Sequence, residues 1–218
     1  MMRDQSRAQV SSSVALWWIR RDLRLSDNQS LAAALAEAGQ VVPVFVLDSA
    51  LRESPYVGSK RLAFLLDGLR QLDADLHARG SRLIVRQGQP RREIAALMAE
   101  TGADKIFAEQ DHSGHARQRD AEMARHLPLH LISSLTVHPP AAVLKADGEP
   151  YTVFTPFGRA WKALTPPLLN LVQPAPERIQ TLANVRSDVI PSEPRLPSTV
   201  PFVPGEAEAQ HRLSLFVD

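Results

Sequence analysis

The amino-acid sequence predicts a doubly wound α/β domain: a five-stranded parallel sheet of Rossmann-like type with helices on both faces. Three observations carry this. Short apolar runs recur at Val14–Ile19, Val41–Leu47, Leu83–Val85, Lys105–Ala108 and Leu129–Ile132, each with little polar alternation, as strands covered on both faces require. Patterns of helical period fill the intervals between them, which demands right-handed crossovers. Composition then changes near residue 138: of the 17 prolines, only Pro43, Pro55, Pro90 and Pro128 precede that point.

Taken in order, residues 1–13 are polar and are expected to form a disordered tail. The first apolar run, Val14–Ile19, ends in the charged stretch Arg20-Arg21-Asp22-Leu23-Arg24. Asp27 then suits the N-cap of a helix reaching Ala38 and stopped by Gly39. Leu62, Leu65, Leu66, Leu69, Leu72 and Leu76 recur at three- and four-residue steps up to Gly80, marking one core face of a second helix. Pro90 fits a first helical turn, Ile94, Leu97 and Met98 form its stripe, and Gly102 closes it. A fourth helical pattern runs from His115 to Leu127.

The sheet domain is therefore assigned to residues 14–138 and a proline-rich linker to 139–204, because proline removes backbone donors and fixes φ. Within the linker a short helix is expected near 155–164, with Phe157 and Trp161 forming one buried face against the sheet or linker. Residues 205–218 carry a helical stripe at Ala209, Leu213 and Phe216/Val217, expected as the first helix of a further domain missing from this chain. A terminal helix docked on the sheet domain is the alternative.

Composition excludes several classes of function. The formal charge is +1, from 25 basic and 24 acidic side chains, and such a balance argues against strong nucleic-acid binding by this chain alone. Cysteine is absent, so no disulfide or thiolate chemistry is available, which suits a cytoplasmic location. No apolar run approaches the roughly 20 residues of a membrane span, and no signal-peptide pattern is visible. His112 and His115 lack a third ligand, so no metal site is expected. Neither a GxGxxG nor a GxxxxGK[ST] pattern follows a strand.

Five motifs then occur in order. The first is W-x-R-x-D-L-R-x-x-D-N, carried by Trp18, Arg20, Asp22, Leu23, Arg24, Asp27 and Asn28. Gly58, Arg61, Phe64, Leu65 and Leu72 form a second, with Gly68 where a larger residue is usual. Gly88 and Pro90 form a third, and Asp111, Ala116, Arg117, Arg119 and Asp120 a fourth. The last is Tyr151, Val153, Phe154, Thr155, Pro156, Phe157 and Trp161. Together they resemble the DNA photolyase and cryptochrome flavoproteins over most of the chain.

That resemblance implies an N-terminal α/β domain holding an antenna chromophore, followed by an all-helical domain holding FAD and the DNA lesion. The parent activity is that of a lyase, the blue-light-driven repair of pyrimidine dimers. This chain would supply the antenna domain, the linker and the first helix of the FAD domain. It is then not catalytically competent alone, names no catalytic residue, and meets DNA only through the full-length protein. A cryptochrome-type blue-light sensor is the alternative within the family. A stand-alone nucleotide-binding module, using Arg20 and the Gly88 loop for phosphates, is the alternative outside it. No feature of the sequence assigns an oligomeric state.

Ligands of doubly wound sheets sit beyond the carboxyl ends of the strands, at the switch in strand order. That places Arg20 to Arg24, Phe45 to Asp48, Arg86 to Gly88 and Glu109 to Ser113 around the expected cleft. Phe45 suits a wall, and Asp48, Arg61, Glu109 and Asp111 suit polar anchors for a flat heteroaromatic ligand. By resemblance, Arg61 and Asp111 fall where family members hold a deazaflavin or folate antenna. The expected chromophore is of methenyltetrahydrofolate, deazaflavin or flavin type. Two departures touch the cleft: Ser113 replaces an acidic anchor, and Gly114-His115 replaces the usual Pro-Tyr. Arg20, Asp22 and Arg24 read more simply as an ion-pair network fixing the loop, and Asp27 and Asn28 as caps.

Overall fold

Five strands, β1 (Val14–Ile19), β2 (Gln40–Leu47), β3 (Ile84–Gln87), β4 (Lys105–Glu109) and β5 (Leu129–Ile132), pair in parallel in the order β3-β2-β1-β4-β5. The computed structural model describes residues 13–49, 57–133, 136–165, 172–201 and 203–217. The polar tail expected at 1–13 lies outside them but for residue 13. Every residue of β1 is buried, which explains why that run carries no polar alternation.

Side chains alternate strictly across the sheet. Ala15, Trp17 and Ile19, with Val41, Phe45 and Leu47, face helices α1 (Gln29–Glu37) and α2 (Ser59–His77). Val14, Leu16 and Trp18, with Val42, Val44 and Val46, face α3 (Pro90–Thr101) and α4 (Gly114–Ala124). The leucine stripe of α2 is core: Leu66, Leu69, Leu72 and Leu76 are all buried, each stabilising the fold by roughly 1.5–3 kcal/mol. Two helices on each face of a parallel sheet are the predicted doubly wound arrangement. Strand β5 is an edge strand and departs from the double coverage expected of it, with Leu131 exposed.

Helix ends refine the sequence expectation. The N-cap of α1 is Asn28 rather than Asp27: its Oδ1 accepts from Leu31 N at 2.9 Å and from Ser30 Oγ at 2.8 Å. Ser30 Oγ in turn accepts from the buried Trp17 indole at 3.0 Å, so the cap also satisfies an indole N–H inside the core. Asp27 adopts φ 49° one residue earlier, and its N–H donates to Gln173 O at 2.7 Å. Helix α3 begins at Pro90 and stops at Gly102, whose φ of 69° only glycine adopts cheaply.

The stretch assigned as a linker is in large part built into the domain. Ile179 is fully buried in the α1/α2 core, and Val185 lies in the opposite one. Val41 N donates to Gln180 O at 2.8 Å and Ile179 N to Arg79 O at 2.9 Å. Residues 185–188 seal the outer edge of β3: Val85 N donates to Ser187 Oγ at 2.9 Å, Asp188 N to Val85 O at 2.8 Å, and Gln87 N to Asp188 Oδ2 at 3.0 Å. An edge strand left bare would template pairing with another chain. Proline content excludes regular structure here, and it leaves packing open.

Two further segments close the chain. Helix α5 (Phe154–Ala163) buries no residue fully, which corrects the expectation that Phe157 and Trp161 form one buried face against the sheet or linker. Phe157 instead meets Tyr151 and Phe154, and Trp161 meets His138 edge-on at 5.2 Å. Helix α6 (Glu206–Val217) leaves Leu213, Phe216 and Val217 exposed. If 172–200 is part of the folded core, Ile179→Ala should lower unfolding free energy by about 2–4 kcal/mol in a single cooperative urea transition. A loss near zero would return this segment to the status of a free linker.

Candidate functional site

The loop leaving β1 is anchored before it reaches α1. Arg20 Nη1 bonds both carboxylate oxygens of Asp120 on α4, at 2.6 and 2.8 Å, with side-chain exposures of 6% and 3%. Burial lowers the Arg20 pKa from its ordinary value, while the hydrogen bonds it donates to Asp120 oppose the shift. Asp120 also accepts from Arg119 Nε at 3.0 Å. The Trp18 ring lies beneath both guanidiniums, at 4.9 Å from Arg20 and 5.1 Å from Arg119. Further along, Arg24 Nε meets Asp22 Oδ2 at 3.1 Å. Leu23 reaches α2 at Gly68, where a Cβ would stand 2.9 Å from Leu23 Cδ1.

A cavity of about 320 Å³ opens over the carboxyl ends of β1 and β2, between α2 and the α3/α4 layer. Phe45, Asp48 and Arg61 all line it, together with Trp18, Leu62, Leu65, Pro90 and Arg119. The Arg20 side chain borders it too, and Arg20 Nη2 is buried with no hydrogen-bond partner. The walls are apolar and aromatic and the rim is cationic, which fits a flat heteroaromatic ligand with hydrogen-bond acceptors on its edge. A second, more polar groove of about 640 Å³ shares Asp48, Pro90 and Arg119 with the cavity and adds Arg91, His115 and Gln118.

The other expected contacts lie elsewhere. Glu109, Asp111 and Ser113 do not line this cavity. Asp111 meets Arg21 at 3.4 Å and accepts from Ser113 N at 2.9 Å; partial burial opposes ionisation, but these bonds hold its pKa below the ordinary value. Ser113 caps α4 by accepting from Ala116 N. Arg86 is committed to Glu100 on α3, and Gly88 lies against Glu93. The Arg20 phosphate contact of a nucleotide module is preempted by Asp120, and the N-terminus of α1 is already capped by Asn28. Among the described residues no group of His, Cys, Asp or Glu could hold a metal ion, and no helix is long and apolar enough to cross a membrane.

The crevice at the switch in strand order, between β1 and β4, is filled by the protein's own charges. Glu109, 4% exposed at the end of β4, lies within hydrogen-bonding reach of Asp22. Burial first, and then the Asp22 carboxyl, push the Glu109 pKa from 4.5 up to about 8. A shift of this direction keeps the Glu109 carboxyl protonated at neutral pH. Trp18, Leu62, Leu65, Pro90 and Arg119 are cavity residues that sequence reasoning did not assign to the site. The signal for Trp18 was the two-residue step to Arg20, which puts both on the α3/α4 face; Arg119 needed the docking of α4.

The Glu109 pKa sets the sign of a pH effect. Its folded-state pKa lies above the ordinary value, so its contribution is full below pH 4.5 and is lost as pH rises through about 8. Glu109→Gln should flatten the dependence of thermal midpoint on pH across that window. At pH 9 it should raise the midpoint by at least about 2 °C, the shift that 1 kcal/mol produces in a chain of this size. Parallel pH profiles for the two proteins would remove the buried carboxyl pair from the account.

Comparison with known proteins agrees with this geometry. The DNA photolyase family model matches residues 15–178. The deoxyribodipyrimidine photo-lyase of Synechococcus is 33% identical over 217 residues, covering 93% of this chain and 45% of that protein. The crystal structure of a bacterial class III photolyase from Agrobacterium tumefaciens superposes with a TM-score of 0.83 at 25% identity, covering 99% of this chain and 46% of that one. An archaeal photolyase from Sulfolobus tokodaii, solved with two FAD molecules, shares the fold at a TM-score of 0.64 and 24% identity, covering 77% of this chain and 37% of that one. The chain spans less than half the length of these relatives, in the part that forms their α/β domain. The β3-β2-β1-β4-β5 sheet, the anchored loop after β1 and these matches make the chain a member of the DNA photolyase family.

Proposed function

We propose that the cavity over β1 and β2 seats an antenna chromophore, and that the chain is the light-harvesting module of a photolyase-type protein. The observation that carries this reading is a cavity walled by Trp18, Phe45 and Leu65 over the carboxyl ends of β1 and β2, with Arg61 and Arg119 at its rim. An apolar, aromatic pocket with a few convergent polar groups is the usual form of a small-molecule site. When bound, such a chromophore supplies absorption of near-ultraviolet to blue light and hands the excitation energy to a second cofactor. Trp18, Phe45 and Leu65 enclose its ring and exclude water, while Asp48 and Arg61 address its polar edge.

The contiguous groove offers room for an anionic tail. Arg119 stands where cavity and groove join, and Arg91 makes no ion pair among the described residues. A ring in the cavity with an anionic tail in the groove describes a flavin nucleotide, and equally a folate with its carboxylate tail. The archaeal relative's two FAD molecules support a flavin in that role. The activity of the longer protein would be light-driven repair of pyrimidine dimers, with the catalytic FAD and the DNA contacts supplied by a further domain. The near-neutral charge of this chain accords with that division. A cytoplasmic location fits a chain without cysteine.

Titrating the purified protein with FMN should quench flavin fluorescence with saturable binding. Arg61→Ala and Phe45→Ala should each weaken that binding by about tenfold, a loss of roughly 1.4 kcal/mol. Tighter binding of methenyltetrahydrofolate would transfer the site to a folate antenna. No binding of either, or unchanged affinity in both variants, would place the antenna site elsewhere.

A further inference from the structure

One buried carboxylate serves two cations at the edge of the sheet. Asp120 accepts from Arg20 Nη1 at 2.6 and 2.8 Å and from Arg119 Nε at 3.0 Å, and Arg119 Nη2 stands 2.9 Å from it. The Trp18 ring lies beneath both guanidiniums. Arg20 and Asp120 are almost wholly buried, and Arg119 is 22% exposed. Two positive charges thus stand against one negative charge where water reaches little of either. A surplus charge kept from water is unfavourable until an anion completes it.

Arg119 lines both the apolar cavity and the polar groove of about 640 Å³ beside it. In the groove it is joined by Arg91, from the first turn of α3, and by His115 and Gln118 of α4. Residues 115, 118, 119 and 122 recur at three- and four-residue steps, so one face of α4 forms that wall. Arg125 is neutralised by Glu122 at 2.9 Å, and Asp48 adds a carboxylate shared by groove and cavity. With Arg20 and Asp120 behind the wall, four guanidiniums meet three carboxylates. The side chains of Arg91, His115 and Gln118 make no hydrogen bond or ion pair among the described residues.

Given that the cavity takes a ring, as proposed above, we infer that the groove is an anion subsite for the tail of the same ligand. Arg119, Arg91 and His115 bind a phosphate or a carboxylate there, so the site selects charged over neutral forms of one ring system. Phosphate and carboxylate share the chemistry the groove recognises, an anionic group of two or three acceptor oxygens. The planar fork of a guanidinium meets such a group with parallel N–H donors. Arg119 commits Nε and Nη2 to Asp120 and keeps Nη1, whereas Arg91 keeps its whole fork. The bound anion also neutralises the surplus charge around Asp120, which a neutral tail leaves in place.

Two pairs of ligands that differ only in tail charge test this in the whole chain. One is FMN against riboflavin; the other is methenyltetrahydrofolate against the same molecule with both glutamate carboxylates amidated. The charged member of at least one pair should bind about tenfold more tightly, the worth of one hydrogen bond to a charged group. The pair that shows the preference identifies the tail as phosphate or carboxylate. The preference should fall toward parity in Arg119→Gln and in the double variant Arg91→Ala/His115→Ala. Arg92→Ala removes an exposed charge from α3 outside the groove and should keep it. Equal affinity within both pairs overturns the inference and leaves the ring site standing. So does a preference undiminished in Arg119→Gln and in the double variant. If no member of either pair binds, the ring site fails, and the groove is decided alone. Inorganic phosphate, at fixed pH and ionic strength, should then shift the His115 ring-proton resonances saturably, with the shift lost in Arg91→Ala. An absent shift, or one that persists in that variant, overturns the inference.

Discussion

A guanidinium with only 6% of its surface in water needs a carboxylate of equal burial, and Asp120 meets that need for Arg20 through two bonds. Breaking a pair of this kind leaves an uncompensated buried charge, typically a loss of about 3–5 kcal/mol. The geometry at the carboxyl edge of the sheet depends on it. It ties the end of β1 to α4 across a hundred residues, positions both guanidiniums over Trp18, and sets the direction in which the loop departs. From there Asp22 meets Glu109, Leu23 fits against Gly68, and Leu25 and Ser26 present their amides to Glu206.

One consequence is a division of labour along that edge. In an open α/β sheet the crevice between strands whose helices leave on opposite faces is the usual ligand site. Here that crevice, between β1 and β4, is occupied by Arg20, Asp22 and Glu109, and the open cavity is displaced by one strand to β1 and β2. The charges that fill the crevice remain useful beside it. Arg20 borders the cavity on one side, and Asp22 lines the separate cavity beneath α6 on the other.

The proline-rich stretch makes a separate point about packing. Residues 172–200 contribute Ile179 and Val185 to the two cores and supply backbone and hydroxyl partners to the outer edge of β3. Extended chain satisfies an edge strand as well as a regular strand does, provided its donors and acceptors fall in register. The α/β unit therefore includes a segment that follows the last strand by about forty residues and returns to the far edge of the sheet.

Much of this was legible from local pattern. Five apolar runs with intervening helical periods determine a parallel, doubly wound sheet, because only that arrangement covers such strands on both faces. The leucine stripe from Leu62 to Leu76, the stop at Gly102 and the family motifs follow from the same short-range information. Phe45 and Asp48 were placed at the cleft by the strand ends, and Arg61 by the family resemblance. The capping of α1 by Asn28, the roles of Trp18 and Arg119, and the diversion of Asp111 and Ser113 into a turn and a cap were not. Each depends on which partner the packed chain brings within hydrogen-bonding distance. The sequence by itself determined the fold and the family, because periodicity and motifs are local. Only the tertiary structure decided which charges neutralise one another and which remain for a ligand, because Arg20 and Asp120, or Ser26 and Glu206, become neighbours only through folding.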